Sequence, residues 1–232
     1  MTRRREIGIA AALLLVAALV LMPMRIVFGG NGIAARKVEG LIWDGAVRDL
    51  RVGQVGIGDV NTRLHVLPLL LVRAQFSLSR GDAPFAPGVS GSITRSLGSV
   101  SVDDLKATLP VSTLFAPLPA ESVELQDFSV RFRSGRCVAA GGNVRLTMTS
   151  SIPGLDLANG LLGKPRCDKG QLLIPLASQS AMEHVDIRLG GDGFYNATIF
   201  LEGNRAEQAA AIALAGFRPV SGGYRMVRKG GL

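Results

Sequence analysis

Val60-Asn61-Thr62-Arg63-Leu64-His65-Val66 sets apolar or β-branched residues at every second position, with polar ones between them. That period of two is the signature of a strand that buries one face. The pattern recurs at Val72, Ala74, Phe76 and Leu78, at Phe128, Val130 and Phe132, at Val144, Leu146 and Met148, and at Val185, Ile187 and Leu189. Each run is short and interleaved with polar residues, as in an antiparallel sheet with one buried face. Turn residues separate the runs: Gly81 to Gly88 with two prolines, Ser134-Gly135, Gly141-Gly142, and Gly190 to Gly193 around Asp192. Intervals of about ten residues predict a meander, hence a curved antiparallel β-sheet or half-barrel. Composition agrees, because 29 glycines and 11 prolines beside only 5% aromatic residues suit many short strands better than a helix bundle. One short helix is expected near the C-terminus, where Asn204 can cap, Glu207 follows three positions on, and Ala209 to Ala215 stops at Gly216.

Outward from the strands, the N-terminus carries a different signal. From Ile7 to Met24 there is no charged residue, and Ala, Leu and Val dominate. A bilayer-spanning helix needs roughly 18 to 20 such residues. Arg3, Arg4 and Arg5 precede the run, which by the positive-inside rule holds the N-terminus in the cytoplasm. The predicted layout is a cytoplasmic segment 1–6, a transmembrane signal-anchor helix 7–28, a Gly/Ala-rich linker 29–35 and a periplasmic β domain 36–232. The competing reading is a cleaved signal peptide, which would have a shorter apolar region and a prompt small-x-small site. Here the apolar run continues through Leu21 and Met22 to Pro23, and the small residues Ala34 and Ala35 lie well beyond it.

The formal net charge is +8, of which Arg3, Arg4, Arg5 and Glu6 supply +2, leaving +6 beyond the membrane. Those Lys and Arg residues are scattered singly between apolar positions, as on solvated strand faces. No basic and aromatic patch of the kind that binds nucleic acid is present. The chain has 2 cysteines, Cys137 and Cys167, both past the anchor and so in an oxidising space. A disulfide is expected, closing a loop of roughly 31 residues and stabilising by about 3 to 4 kcal/mol. The alternative is a pair of buried thiols acting as small hydrophobes.

Residues that could carry chemistry are few. His65 and His184 are the only histidines, and both sit in strand-like surroundings. With the cysteines oxidised, they do not make a zinc site. There is neither a Gly-x-Ser-x-Gly elbow nor a Ser-x-x-Lys pair. The Gly53, Gly56, Gly58 cluster lacks the third glycine at the offset a dinucleotide loop requires and opens no helix, so turn or bulge use is expected. Asp103 and Asp104 are adjacent, and on a regular strand they point to opposite faces, which argues against a carboxylate dyad. No catalytic, cofactor-binding or metal-binding residue is assigned, and no enzyme activity is expected. Asn196-Ala197-Thr198 matches a glycosylation sequon but carries no meaning in a bacterial periplasm.

A faint internal repeat links Gly40–Leu71 with Gly91–Leu114. Each opens on a Gly near an Ile and closes on a Leu-Pro pair, Leu67-Pro68 and Leu109-Pro110, followed by Leu71 and Leu114. Proline at those points would end a strand. The repeat is too faint to establish duplication.

The segment Gly40-Leu41-Ile42-Trp43-Asp44-Gly45, soon after a single anchor, resembles the opening of type II secretion system protein N. Val66-Leu67-Pro68-Leu69-Leu70-Leu71, Leu109-Pro110-Val111 and the strand Val123 to Val130 are similar to later parts of that family, and the cysteine pair looks like that of one of its branches. The similarity runs from the anchor to about Leu201 and leaves the C-terminal helix unmatched. It implies an accessory, non-catalytic component of the general secretion pathway in a Gram-negative inner membrane. The partners so implied are the outer-membrane secretin or the inner-membrane platform. Structural roles fall to Gly40, Trp43, Gly45, Leu67 and Pro68, with Trp43 expected to pack as a buried anchor. The alternative is a lipid-handling protein whose curved sheet cradles acyl chains, as in lipopolysaccharide export.

Overall fold

The computed structural model describes Leu21 and residues 33–53, 55–81, 87–112, 120–148, 160–203 and 208–231. Apart from Leu21, the expected anchor over 7–28 lies outside the described residues. Among these, no helix is long and apolar enough to cross a membrane. The capping residues Asn204 and Glu207 also lie outside them, as does most of the Gly81 to Gly88 turn.

The first eight strands are β1 (Ile33–Ala34), β2 (Lys37–Leu41), β3 (Asp44–Val52), β4 (Val55–His65), β5 (Arg73–Arg80), β6 (Val89–Ser96), β7 (Ser99–Pro110) and β8 (Ala120–Arg133). The second eight are β9 (Arg136–Met148), β10 (Leu161–Gly163), β11 (Arg166–Asp168), β12 (Gln171–Ala177), β13 (Glu183–Leu189), β14 (Phe194–Glu202), β15 (Arg218–Val220) and β16 (Gly223–Gly231). They form one 16-stranded antiparallel sheet in the order β1-β3-β4-β5-β6-β7-β8-β9-β10-β12-β13-β14-β16-β15, with β2 on β3 and β11 on β12. The order follows the chain closely, as expected where neighbours are joined by short turns. It does not close: β1 and β2 lie at one edge and β15 at the other.

Alternation in the sequence becomes alternation in burial. Val60, Thr62 and Leu64 are buried on β4, as are Val144, Leu146 and Met148 on β9. The main core runs across β8 to β16 and includes Leu161, Leu172, Leu176 and Leu201, while a smaller core gathers Val47, Leu50 and Val60 on β3 and β4. The sheet is curved. Gly191, in the β13–β14 turn, approaches Gly135, in the β8–β9 turn, so closely that a Cβ there would overlap the Gly135 carbonyl. In a flat sheet, three strand spacings would hold those turns about 14 Å apart.

Several expectations need correction. Gly141-Gly142 is not a turn, because β9 runs through both and Gly142, at φ 100°, sits where the register with β8 slips between Gln126 and Ser129. Only glycine fits, since a Cβ would fall 2.5 Å from the Asp127 carbonyl oxygen. The helix expected near the C-terminus is present as a shorter segment, α2 (Ala209–Leu214), ending at Gly216 with φ 92°. It is not alone: α1 (Val66–Leu69) joins β4 to β5, so Val66 begins a helical turn and does not extend the strand. The repeat fails at the same place, since Pro68 is helical and Pro110 ends β7.

Candidate interaction surface

β4 ends at His65, whose backbone is still extended (φ −89°, ψ 129°), and the chain then folds into α1. Pro68 falls in the first turn of that helix, where its missing N–H leaves no bond unmade. Three successive bonds tighten the segment: the N–H groups of Leu70, Leu71 and Val72 donate to the carbonyls of Leu67, Pro68 and Leu69 at 3.2, 3.0 and 2.9 Å. Val72 takes φ 55°, a left-handed conformation that a β-branched residue seldom adopts. The result is a protruding knuckle. Val66, Leu67, Leu70, Leu71 and Val72 are each between 58% and 77% exposed. Arg73 pairs with Ser96, so the knuckle lies beside the β6–β7 turn, where Leu97 is 89% exposed. Clustered apolar exposure of this kind marks a contact surface more often than chance does.

Under the knuckle, one face of β5 to β8 is polar. A groove of about 610 Å³ is bounded by Leu67 and Leu71 and floored by Ser101, Asp103, Asp104 and Arg131. Asp103 and Asp104 do not diverge as on a regular strand. The β7–β8 register slips between Val102 and Leu105 and Asp104 takes φ 53°, so both carboxylates line the groove. Asp103 accepts a hydrogen bond from Ser101 Oγ at 2.7 Å and faces Arg131 at 3.9 Å, while the Asp104 backbone N–H donates to Ser129 Oγ at 3.0 Å. The groove thus carries a short polar chain at a bulge, Ser101 to Asp103 to Arg131.

The other residues singled out in the sequence are dispersed. Gly40, at φ 85°, lies at the β2–β3 hairpin, where a Cβ would come 2.6 Å from the Asp44 carbonyl oxygen. Trp43 occupies the turn itself and is only half-buried, while its neighbour Ile42 is buried. The expected Trp anchor in a strand is therefore replaced by Ile42, whose carbonyl accepts the Leu64 N–H at 3.1 Å. His65 is exposed at the end of β4, and His184 stands on β13 opposite Phe200, so no site unites them. Gly53 lies in the β3–β4 turn, and Gly58 faces Leu50 across a register shift, as turn and bulge glycines. Cys137 on β9 and Cys167 on β11 are joined, with Cα atoms 5.5 Å apart.

Depressed carboxylates mark ion pairs within the scaffold. The Arg188 guanidinium bonds Asp168 at 2.6 Å and holds its carboxyl below the usual range. Asp59 is lowered chiefly by the Asp49 backbone N–H at 2.9 Å and then by Arg48, and Glu39 by Lys37. Sequence reasoning missed a buried acid, Glu183, which accepts from Ser178 Oγ at 2.6 Å and Ser180 Oγ at 3.0 Å and so ties down the β12–β13 turn. It also missed α1, although seven consecutive apolar residues from Val66 to Val72 cannot alternate across a sheet.

A family model described as type II secretion system (T2SS), protein N matches residues 31–228. No curated protein and no solved structure matches the chain.

Proposed function

We propose, from the premise that this chain belongs to the type II secretion system protein N family, that it is a non-catalytic, inner-membrane-anchored periplasmic scaffold for export across the outer membrane. The family is an accessory component of type II secretion, and membership implies contact with other subunits of that system. The observation that carries the scaffold reading is the α1 knuckle, with five large apolar side chains turned outward at the rim of the polar groove. A protein that works by contact needs such a surface. The secretin or the inner-membrane platform is the subunit class proposed to cover it. Residues 1–6 would lie in the cytoplasm, 7–28 in the membrane, and the sheet beyond the 29–35 linker in the periplasm.

Deleting the gene should leave folded cargo in the periplasm while its first crossing of the inner membrane continues. A Leu67→Ser/Leu70→Ser variant should reproduce the defect at unchanged protein level, because both side chains are exposed and their loss opens no cavity. Normal export in the deletion strain, with no second secretion system present, would sink the reading.

One observation favours a second reading, lipid handling. Leu64, Phe76, Ile93, Val102 and Val130 form a cross-strand apolar row on one face of β4 to β8. Its ends are buried, whereas Ile93 at its centre is exposed between the two cores. Lipid extracted in stoichiometric amount from the purified full chain would favour this alternative.

A further inference from the structure

β16 has 9 residues, and β15 covers only its first part, pairing Arg218 with Arg225, Pro219 with Tyr224 and Val220 with Gly223. With Pro219 at its centre, β15 lacks a ladder donor and cannot extend as a regular cover. From Met226 to Gly231, β16 is paired with β14 on one side and, among the described residues, with no strand on the other. Alternate residues of an antiparallel strand turn both N–H and C=O the same way. The open stretch therefore presents about three outward residues over roughly 20 Å.

Charge gathers on this edge. Arg218, Arg225, Arg228 and Lys229 form no salt bridge among the described residues. Arg218 stands directly opposite Arg225, a like-charge pair that opposes the strand pairing. Arg228 Nε is buried without a hydrogen-bond partner. A groove of about 710 Å³ runs alongside, lined by Gly216, Arg218, Pro219, Met226 and Arg228. Carboxylates entering here would separate the opposed arginines and satisfy the orphaned donor, while the strand edge supplies main-chain bonds.

We infer that the outer edge of β16 from Met226 to Gly231 receives an extended acidic segment of another secretion subunit as an added strand. This rests on the scaffold reading and names the chemistry of one partner. A second copy of the chain does not fit, since β16 against β16 would set cations against cations. The opposite edge is a poorer receiver: on β2, Lys37 is already paired with Glu39 at 2.6 Å, and Gly40 breaks the extended run at φ 85°.

The test uses the full chain in detergent micelles with two synthetic peptides of about ten residues, one alternating threonine with glutamate and the other threonine with lysine. Amide hydrogen exchange is followed over Met226–Gly231. The glutamate peptide should slow exchange there tenfold or more, and the lysine peptide should not. An Arg225→Glu/Lys229→Glu variant, changed at two exposed positions, should reverse that preference without loss of melting temperature. Slowing by neither peptide, equal slowing by both, or slowing on concentration of the protein alone would overturn the inference. If the edge fails this test while deletion still blocks export, only the edge proposal falls. If the edge binds and deletion leaves export normal, the secretion reading falls and the edge keeps its acidic ligand.

Discussion

Ile42 and Trp43 occupy the turn between β2 and β3, and only Ile42 is buried, at 5% exposure. The lone Trp drew attention in the sequence, yet turn geometry decides which of the two side chains enters the core. Ile42→Ala should cost about 2 to 5 kcal/mol in urea unfolding, and Trp43→Ala less. A larger loss at Trp43 would return it to the core role that its type suggests. The acidic pairs give a second test. Asp168 is held below its ordinary value by Arg188, so its contribution is present above the unfolded-state carboxylate pKa and is lost as pH falls through the lower folded value. Melting temperature followed downward from about pH 5 should therefore decline less steeply in Asp168→Asn than in the unaltered protein. Parallel declines would show that the pair adds nothing to folding. Asp103 and Asp104 show where residue-level reading ran out: a bulge turned two side chains to the same groove, and a register slip is set by the neighbouring strand.

At the scale of elements, the alternating runs were legible because period-2 burial is imposed on each strand separately. Val144, Leu146 and Met148 carry the pattern on their own. What could not be read was how strands interrupt one another. Gly142 looks like a turn residue, but β8 continues past it and makes it a bulge. α1 was obscured by Pro68, which suits a first helical turn as well as a strand end. The disulfide ties β9 to the short β11, which among the described residues pairs as a strand only with β12. β11 has 3 residues, none of them fully buried, to hold it there. The unfolded, unreduced protein should show no free thiol on quantitative labelling, and Cys137→Ser should lower stability by about 3 kcal/mol in calorimetric melting. Two labelled thiols, or an unchanged melting curve, would contradict the bond or its role.

The described residues form an open sheet of 16 strands with its main core toward the C-terminal half and two unclosed edges. The architecture followed from turn spacing and strand alternation, and the family from the Gly40 to Gly45 hairpin with its Leu-Pro companions. The surfaces proposed to act were not legible. An exposed knuckle and an uncovered edge are defined by what fails to pack against them, and only the assembled sheet reveals that. The central claim is that the chain works by contact within the secretion machine. It is tested most directly by isolating the tagged full chain, at its native level, from detergent-solubilised membranes of cells with an assembled type II system, and identifying what accompanies it by mass spectrometry. The account predicts that secretin or inner-membrane platform subunits co-isolate, and that Leu67→Ser/Leu70→Ser releases them while the protein stays folded. Isolation without any secretion subunit, from cells in which the system is assembled and active, would contradict it.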